Sequence, residues 1–247
     1  MFVTVTKLPD KRQLLSLSDD SNSNKHDVYV NCFEPAYLRE KNYITRTAKG
    51  RGTVYFFNID GRSLVLRHYY RGGLVGKFNR DKFFYTGQKH TRAYQEIDIL
   101  FYLLSNKMHV PKPVAAMVSR QGLSYSADII TEEISGHDEL HERLMQAPLS
   151  ELAWQLVGEN IAQLHKLQVC HYDINVKNIL ITKSPKQRDD IALLDFDKAV
   201  RRLDDKWQQA NLARFKRSLL KQQSRHAQYH FNDACWQALM QGYLANR

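Results

Sequence analysis

The chain has 247 residues, with 36 Lys+Arg against 26 Asp+Glu and a formal net charge of +10. That length suits one or two domains with a real hydrophobic core, and 43% hydrophobic with 25% charged residues excludes a disordered or fibrous chain. No run approaches the ~20 apolar residues of a membrane span. The opening MFVTVTKLPDKRQ carries no secretory pattern, and Cys32, Cys170 and Cys235 stand too far apart for a disulfide scaffold or a Cys-x-x-Cys zinc site, so a reducing cytoplasm is expected.

Residues 16–27 (SLSDDSNSNKHD) are polar and predict a surface loop or flexible arm, with regular structure beginning near Arg46. In TVYFFNIDGRSLVLRHYY (53–70), β-branched and aromatic runs flank Asp60-Gly61, a hairpin signal because both central turn positions need positive φ. Residues 91–105 switch to helical period: Ala93, Ile97, Leu100, Phe101 and Leu104 share one face. Pro111 and Pro113 end that helix, and two strands are expected at 114–119 and 127–134, joined around Gln121-Gly122.

Pro148 and Ser150 mark the start of a helix over 151–167. A strand–turn–strand unit follows: ILIT after Asn178, the polar SPKQRDD, then IALLDFD. From about Leu203 the chain reads as helices, with Leu212, Phe215 and Leu219 on one stripe. A strand-rich half thus precedes a helix-rich half, with a seam near 134–140 at Ser135-Gly136, and such a division predicts a ligand in the cleft.

The chemistry concentrates in His171-Tyr172-Asp173-Ile174-Asn175-Val176-Lys177-Asn178, an H-x-D-x4-N motif running into a strand. The next strand ends in Asp195-Phe196-Asp197. If the two strands pair, Asn178 and Asp195 lie at one end of the ribbon and Asp173 reaches that end through the loop. Oxygen ligands of this kind suit Mg²⁺ with substrate phosphates. Phosphoryl transfer needs that metal and a carboxylate to accept the proton of the attacking hydroxyl. Asp173 is the expected base, with Asn178 and Asp195 on the metal, as in the protein-kinase catalytic signature.

Gly50-Arg51-Gly52 resembles the front of a glycine-rich phosphate loop, although an ordinary turn has the same composition. No Walker motif is present. The strand ending at Arg67 offers a guanidinium where a nucleotide-binding kinase strand offers Lys, and Glu96, bordering the buried face of the 91–105 helix, is its expected partner. Two stretches are strongly basic, 67–92 and 201–225. The second interleaves Trp207, Phe215 and Leu219, and both stretches read either as anionic-lipid surfaces or as ordinary solvated faces, with the apolar positions in the core.

Arg67-His-Tyr-Tyr-Arg-Gly-Gly-Leu, Val110-Pro-Lys-Pro-Val-Ala-Ala, Leu164-His, the 171–180 segment and Leu194-Asp-Phe-Asp-Lys-Ala together resemble the 3-deoxy-D-manno-octulosonic acid (Kdo) kinase family over roughly residues 45–200. The resemblance implies an α+β, two-lobed protein-kinase-like fold. Residues 1–134 would form a strand-rich nucleotide-binding lobe with an N-terminal arm, and 135–247 a helix-rich catalytic lobe. It further implies ATP and Mg²⁺ as cofactors, and phosphorylation of the 4-hydroxyl of Kdo on Kdo-lipid IVA by a peripheral protein at the cytoplasmic side of the inner membrane. An anionic membrane surface is an expected partner; nucleic acid and an obligate protein partner are not. Asp173 would be catalytic, Asn178 and Asp195 would bind metal, and Gly50, Gly52, Arg67 and Glu96 would serve the nucleotide.

The chain departs from the general kinase pattern in three places: Arg67 replaces the strand Lys, Asp-Phe-Asp lacks a terminal Gly, and Gln168 stands where Gly often precedes the loop. Only 50 residues follow Asp197, with no A-P-E segment, so a sugar acceptor is expected in place of a peptide. The competing readings are a phosphotransferase for a soluble alcohol such as an aminoglycoside, a pseudokinase, and a basic binding module. The intact Asp173/Asn178/Asp195 set argues against a pseudokinase, and the absence of recognition motifs argues against nucleic acid.

Overall fold

The computed structural model describes residues 3–17, 29–49, 52–71, 81–182 and 190–247. It divides into two compact units, Met1–Phe101 with Pro111–Glu133, and Tyr102–Val110 with Ile134–Arg247.

The first unit is built on an antiparallel sheet, eight-stranded among the described residues. Its strands are β1 (Val3–Lys7), β2 (Arg12–Leu17), β3 (Ile44–Lys49), β4 (Thr53–Ile59), β5 (Arg62–His68), β6 (Phe83–Phe84), β7 (Pro113–Gln121) and β8 (Ser124–Glu132). The order is β1-β2-β7-β8-β5-β4-β3, with β6 also paired to β8. The β4–β5 hairpin turns at Asp60 (φ 50°) and Gly61 (φ 73°), the doubly positive turn that its Asp-Gly pair predicts. Alternation then buries Phe57, Ile59, Leu64 and Leu66 together on one face.

Regular structure begins far earlier than Arg46. Ser16 and Leu17, expected in a polar loop, belong to β2, which pairs with β7; positions 18–28 of that stretch lie outside the described residues. Helix α1 (Pro35–Glu40) starts with Pro at its first position, where the missing N–H costs nothing, and drives Leu38 into the core cluster beside Tyr29, Cys32 and Phe33. These N-terminal side chains cover the apolar face of the sheet. Helix α2 (Arg92–Ser105) buries Ala93, Ile97 and Leu100 as its period predicts, but Leu103 is fully buried and Leu104 only partly. The strand expected at 127–134 runs from 124 to 132, because the Gly122 turn (φ 59°) closes a tighter hairpin.

The second unit contains β9 (His137–Glu139), α3 (Leu140–Gln146), α4 (Glu151–Lys166), β10 (Val169–Cys170), a 3-10 turn (Val176–Asn178), β11 (Ile179–Thr182), β12 (Ile191–Leu193), β13 (Val200–Arg201), α5 (Lys206–Gln223) and α6 (Asp233–Ala245). Strands β12, β11 and β9 form a small antiparallel sheet in that order, and β10 pairs with β13. Most of the SPKQRDD turn, 184–189, lies outside the described residues. Ser150 caps α4 by accepting from the Ala153 N–H at 3.1 Å, and Asn232 caps α6 by accepting from the Cys235 N–H at 3.0 Å.

Helices α4 and α6 meet backbone to backbone. A Cβ on Gly158 would stand 2.0 Å from the Leu239 carbonyl oxygen, and one on Gly242 would stand 2.0 Å from that of Gln155. In Gly158→Ala the helix-propensity gain is about 1 kcal/mol. Driving two helices apart costs about 1–3 kcal/mol or more. The clash therefore wins, and urea unfolding of Gly158→Ala is expected to show a lower midpoint than the parent chain.

Candidate active site

His171 organises the loop motif. Its Nδ1 accepts from the Asp173 backbone N–H (3.2 Å), so the ring proton sits on Nε2, which donates to the Leu194 carbonyl (2.8 Å). One buried imidazole thereby joins the 171–178 loop to the residue before Asp195. The Leu194 N–H returns a bond to the Asn178 carbonyl (2.9 Å), continuing the Ile179–Leu193 register of β11 and β12. Phe196 is buried against the His171 ring, centroids 4.8 Å apart. Burial holds the His171 pKa below the usual imidazole value, even though Asp195 and Asp173 both pull it upward.

The Asp173 main chain is fixed on both sides. Its carbonyl accepts from the side-chain amides of Asn175 (2.8 Å) and Asn178 (2.9 Å), filling both lone pairs. The carboxylate remains 30% exposed, with the Arg214 guanidinium 3.5 Å away. Asp195 holds a left-handed backbone (φ 61°), tolerated by Asp more readily than by most residues. Gln168 does the same (φ 57°), which explains why Gly is frequent there.

A single face of α5 supports this loop at three successive turns. Asn211 Nδ2 donates to the His171 carbonyl (2.7 Å), Arg214 faces Asp173, and Ser218 Oγ accepts from the Val176 N–H (3.0 Å). Behind Asn211, His165 Nε2 bonds its Oδ1 (3.1 Å) and His165 Nδ1 meets the Tyr243 hydroxyl (2.9 Å). None of these was expected from the sequence except as members of a basic or helical stretch. Asn175 was within reach, since an Asn two residues beyond the Asp can cap the next turn; Asn211, Arg214 and Ser218 carry no local signal.

In the first unit, Arg67 and Glu96 pair directly. Glu96 is 2% exposed, bonded through one oxygen to Arg67 Nη2 and through the other to the Tyr69 hydroxyl (2.7 Å). Gly50 lies outside the described residues. Gly52 is covered by Tyr70: a Cβ there would lie 2.0 Å from the ring. Of the basic stretch 67–92, Arg71 and Arg92 stack on Phe83 at 5.3 and 4.5 Å, while 72–80, including Gly72, Gly73, Gly76, Lys77 and Arg80, lie outside the described residues. In 201–225, Trp207, Phe215 and Leu219 are core residues, because the stripe they form packs inward; they are unavailable to a lipid surface.

The family model described as the lipopolysaccharide kinase (Kdo/WaaP) family matches residues 36–243. The chain belongs to this kinase family. It is 41% identical over 215 residues to a 3-deoxy-D-manno-octulosonic acid kinase of Actinobacillus succinogenes, covering 85% of this chain and 89% of the relative. It is 38% identical over 212 residues to the protein of that name from Photobacterium profundum, covering 86% and 88%. A solved structure titled "WaaP in complex with acyl carrier protein" is similar in fold, with a TM-score of 0.58 and 15% identity over 92% of this chain and 88% of that one. As a Kdo/WaaP family member the chain is an ATP-dependent kinase with the mixed α/β, protein-kinase-like fold expected.

Two outcomes follow for the Kdo/WaaP site. Glu96→Ala removes the buried carboxylate that pairs with Arg67 and accepts from the buried Tyr69 hydroxyl, so chemical denaturation is expected to report a loss of about 3 kcal/mol, with Glu96→Gln milder because it keeps the Tyr69 bond. Burial lowers the His165 pKa from the usual 6.5 to about 4. Between those values the unfolded chain binds the extra proton, so stability falls as pH drops through the window, by about 3 kcal/mol in full. His165→Gln is expected to flatten the stability–pH slope between pH 7 and 5.

Proposed function

We propose that this kinase transfers the terminal phosphoryl group of ATP to the 4-hydroxyl of Kdo in Kdo-lipid IVA during inner-core lipopolysaccharide assembly. The observation that carries the reading is the state of Asp173. Its backbone is held by three hydrogen bonds, while its carboxylate stays open to solvent beside a cation. Such a carboxylate accepts the acceptor hydroxyl's proton without moving, and a fixed base of this kind contributes about 10²–10⁴-fold. The Arg214 guanidinium beside Asp173 offers positive charge to an incoming anionic acceptor.

Asn178 and Asp195 fit Mg²⁺ by the chemistry of their donors, all of which are oxygen. Asn178 commits its amide nitrogen to the Asp173 carbonyl, so the oxygen of the same amide is its donor to an ion. When bound, the ion neutralises charge on the transferring phosphates. His171 keeps Asp195 in register with Asn178 through Leu194. Arg67, oriented by Glu96, is assigned to the ATP phosphates, and Gly50 and Gly52 to the loop over them. The ring over Gly52 supports that position's need for a residue without a side chain.

We assign the protein to the cytoplasmic face of the inner membrane as a peripheral enzyme. Among the described residues no helix is long and apolar enough to cross a membrane. The exposed cations Lys206, Arg217 and Lys221 of α5, with Arg225 just beyond it, accompany the exposed Leu203 (85%) and Leu220 (44%). Each such cation contributes ~1 kcal/mol near anionic headgroups.

The deciding assay supplies Mg-ATP with purified Kdo-lipid IVA and, in parallel, a soluble aminoglycoside. Phosphate is expected on the Kdo 4-hydroxyl only; transfer to the aminoglycoside alone refutes the assignment. Asp173→Ala is expected to lower turnover ~10²-fold or more with its melting curve unchanged. Asp195→Ala is expected to abolish Mg²⁺-dependent transfer.

A further inference from the structure

The second unit holds another cluster of ligating side chains, at the opposite end of the β11–β12 ribbon from Asn178 and Asp195. Asn178 precedes β11 and Asp195 follows β12, whereas Thr182 ends β11 and Asp190 precedes β12. Four strand residues span about 13 Å. At this far end, His109 Nδ1 lies 2.6 Å and His137 Nε2 3.3 Å from the same Asp190 oxygen, Oδ2. The three donor atoms all lie within 4.8 Å of one another.

The backbone fixes each of the three. His137 pairs with Thr182 across β9 and β11. The Asp190 N–H donates to Thr182 Oγ1 (2.8 Å), and its carbonyl accepts from the Thr182 N–H (3.2 Å). The His109 carbonyl accepts from the Leu193 N–H (3.1 Å). His137 and Asp190 are therefore held at one sheet end, and the His109 main chain is anchored three residues along at Leu193, before any ligand arrives.

The tautomer of His137 carries the argument. Its Nδ1 lies 2.8 Å from the Ser135 carbonyl, which can only accept, so Nδ1 bears the proton. In the neutral ring Nε2 then presents a lone pair, and what it faces at 3.3 Å is a carboxylate oxygen. Two acceptors facing each other require a cation between them, either a proton or a metal ion. The His137–Asp190 spacing matches the second, since ligand atoms ~2.0–2.1 Å from a tetrahedral centre stand about 3.3 Å apart, while the 2.6 Å His109–Asp190 contact is a hydrogen bond that lengthens when an ion enters. A ligating histidine that donates its other N–H to a backbone carbonyl is also the usual outer-shell arrangement.

We propose that His109, His137 and Asp190 form a binding site for a divalent transition-metal ion of the zinc class, with water completing the coordination. Two imidazoles and a carboxylate suit zinc and its neighbours and disfavour magnesium, which selects oxygen. The half-exposed Asp190 (53%) and the partly exposed His109 leave one side open to water. On binding, the ion takes the place of the hydrogen bond between His109 Nδ1 and Asp190, and the imidazole proton moves to His109 Nε2. The bound ion cross-links β9, the start of β12 and the 109 segment.

The test uses the full, untagged chain stripped with EDTA. Added Co²⁺ is expected to give the intense visible bands of a tetrahedral site, which Zn²⁺ then removes. Zn²⁺ at 100 times its dissociation constant is expected to raise the melting temperature by about 5–10 °C. His109→Ala, at a partly exposed position, is expected to melt like the parent without metal, to lose the Co²⁺ bands and to weaken Zn²⁺ binding by about 100-fold. Asp190→Asn is expected to behave alike. Absent Co²⁺ bands in the parent, or bands and Zn²⁺ affinity that persist in both variants, overturn the proposal. So does a pH-dependent melting temperature indifferent to Zn²⁺, which marks a proton-bridged cluster alone.

Discussion

A buried imidazole that must accept on one nitrogen and donate on the other sets the geometry of the 171–178 loop. His171 can link the Asp173 N–H to the Leu194 carbonyl only while it carries a single proton. A second proton would set two donors against each other at Asp173. Two carboxylates nearby favour that second proton, and burial opposes it and prevails. The packing that removes water from His171, including Phe196 on its ring, is therefore as necessary to the site as the carboxylates themselves. Helix α5 extends the same constraint by holding the loop at His171, Asp173 and Val176 from one stripe of side chains.

What the sequence revealed tracks how local each determinant is. The Asp60-Gly61 hairpin, the Ser150 cap and the 171–178 loop running into β11 are written in adjacent residues, and each is legible. Asn211, Arg214 and Ser218 act on a loop some forty residues earlier in the chain, and no neighbouring pattern marks them. The N-terminal segment misled because its polar run adjoins apolar residues without a single period: Leu14 lies on a strand, Cys32 in a helical turn, Phe33 in the turn after it and Leu38 on α1. For Trp207, Phe215 and Leu219, the amphipathic pattern fits a core and a lipid face equally, and packing decided for the core.

The replacement of the customary strand Lys by Arg67 also has a physical account. Glu96 is almost fully buried, and its two oxygens are served by Arg67 and the Tyr69 hydroxyl. A guanidinium presents five N–H donors in a rigid fork, so it can meet a carboxylate and a phosphate together, whereas an ammonium is a point charge. Arg67 also lies over the Tyr69 ring, 5.4 Å from its centroid, which a planar cation does at little cost. The pair at the end of β5 is thus a three-residue unit in which the tyrosine completes what the sequence spacing of Arg67 and Glu96 only suggests.

The contact of α4 with α6 has a temporal consequence. Tyr243 on α6 begins the relay that passes through His165 and Asn211 to His171, and Gly242 beside it lets the two helices touch. During synthesis the ribosome releases residues 171–178 long before α6 emerges. The nascent loop then lacks the far end of its support until this later helix docks.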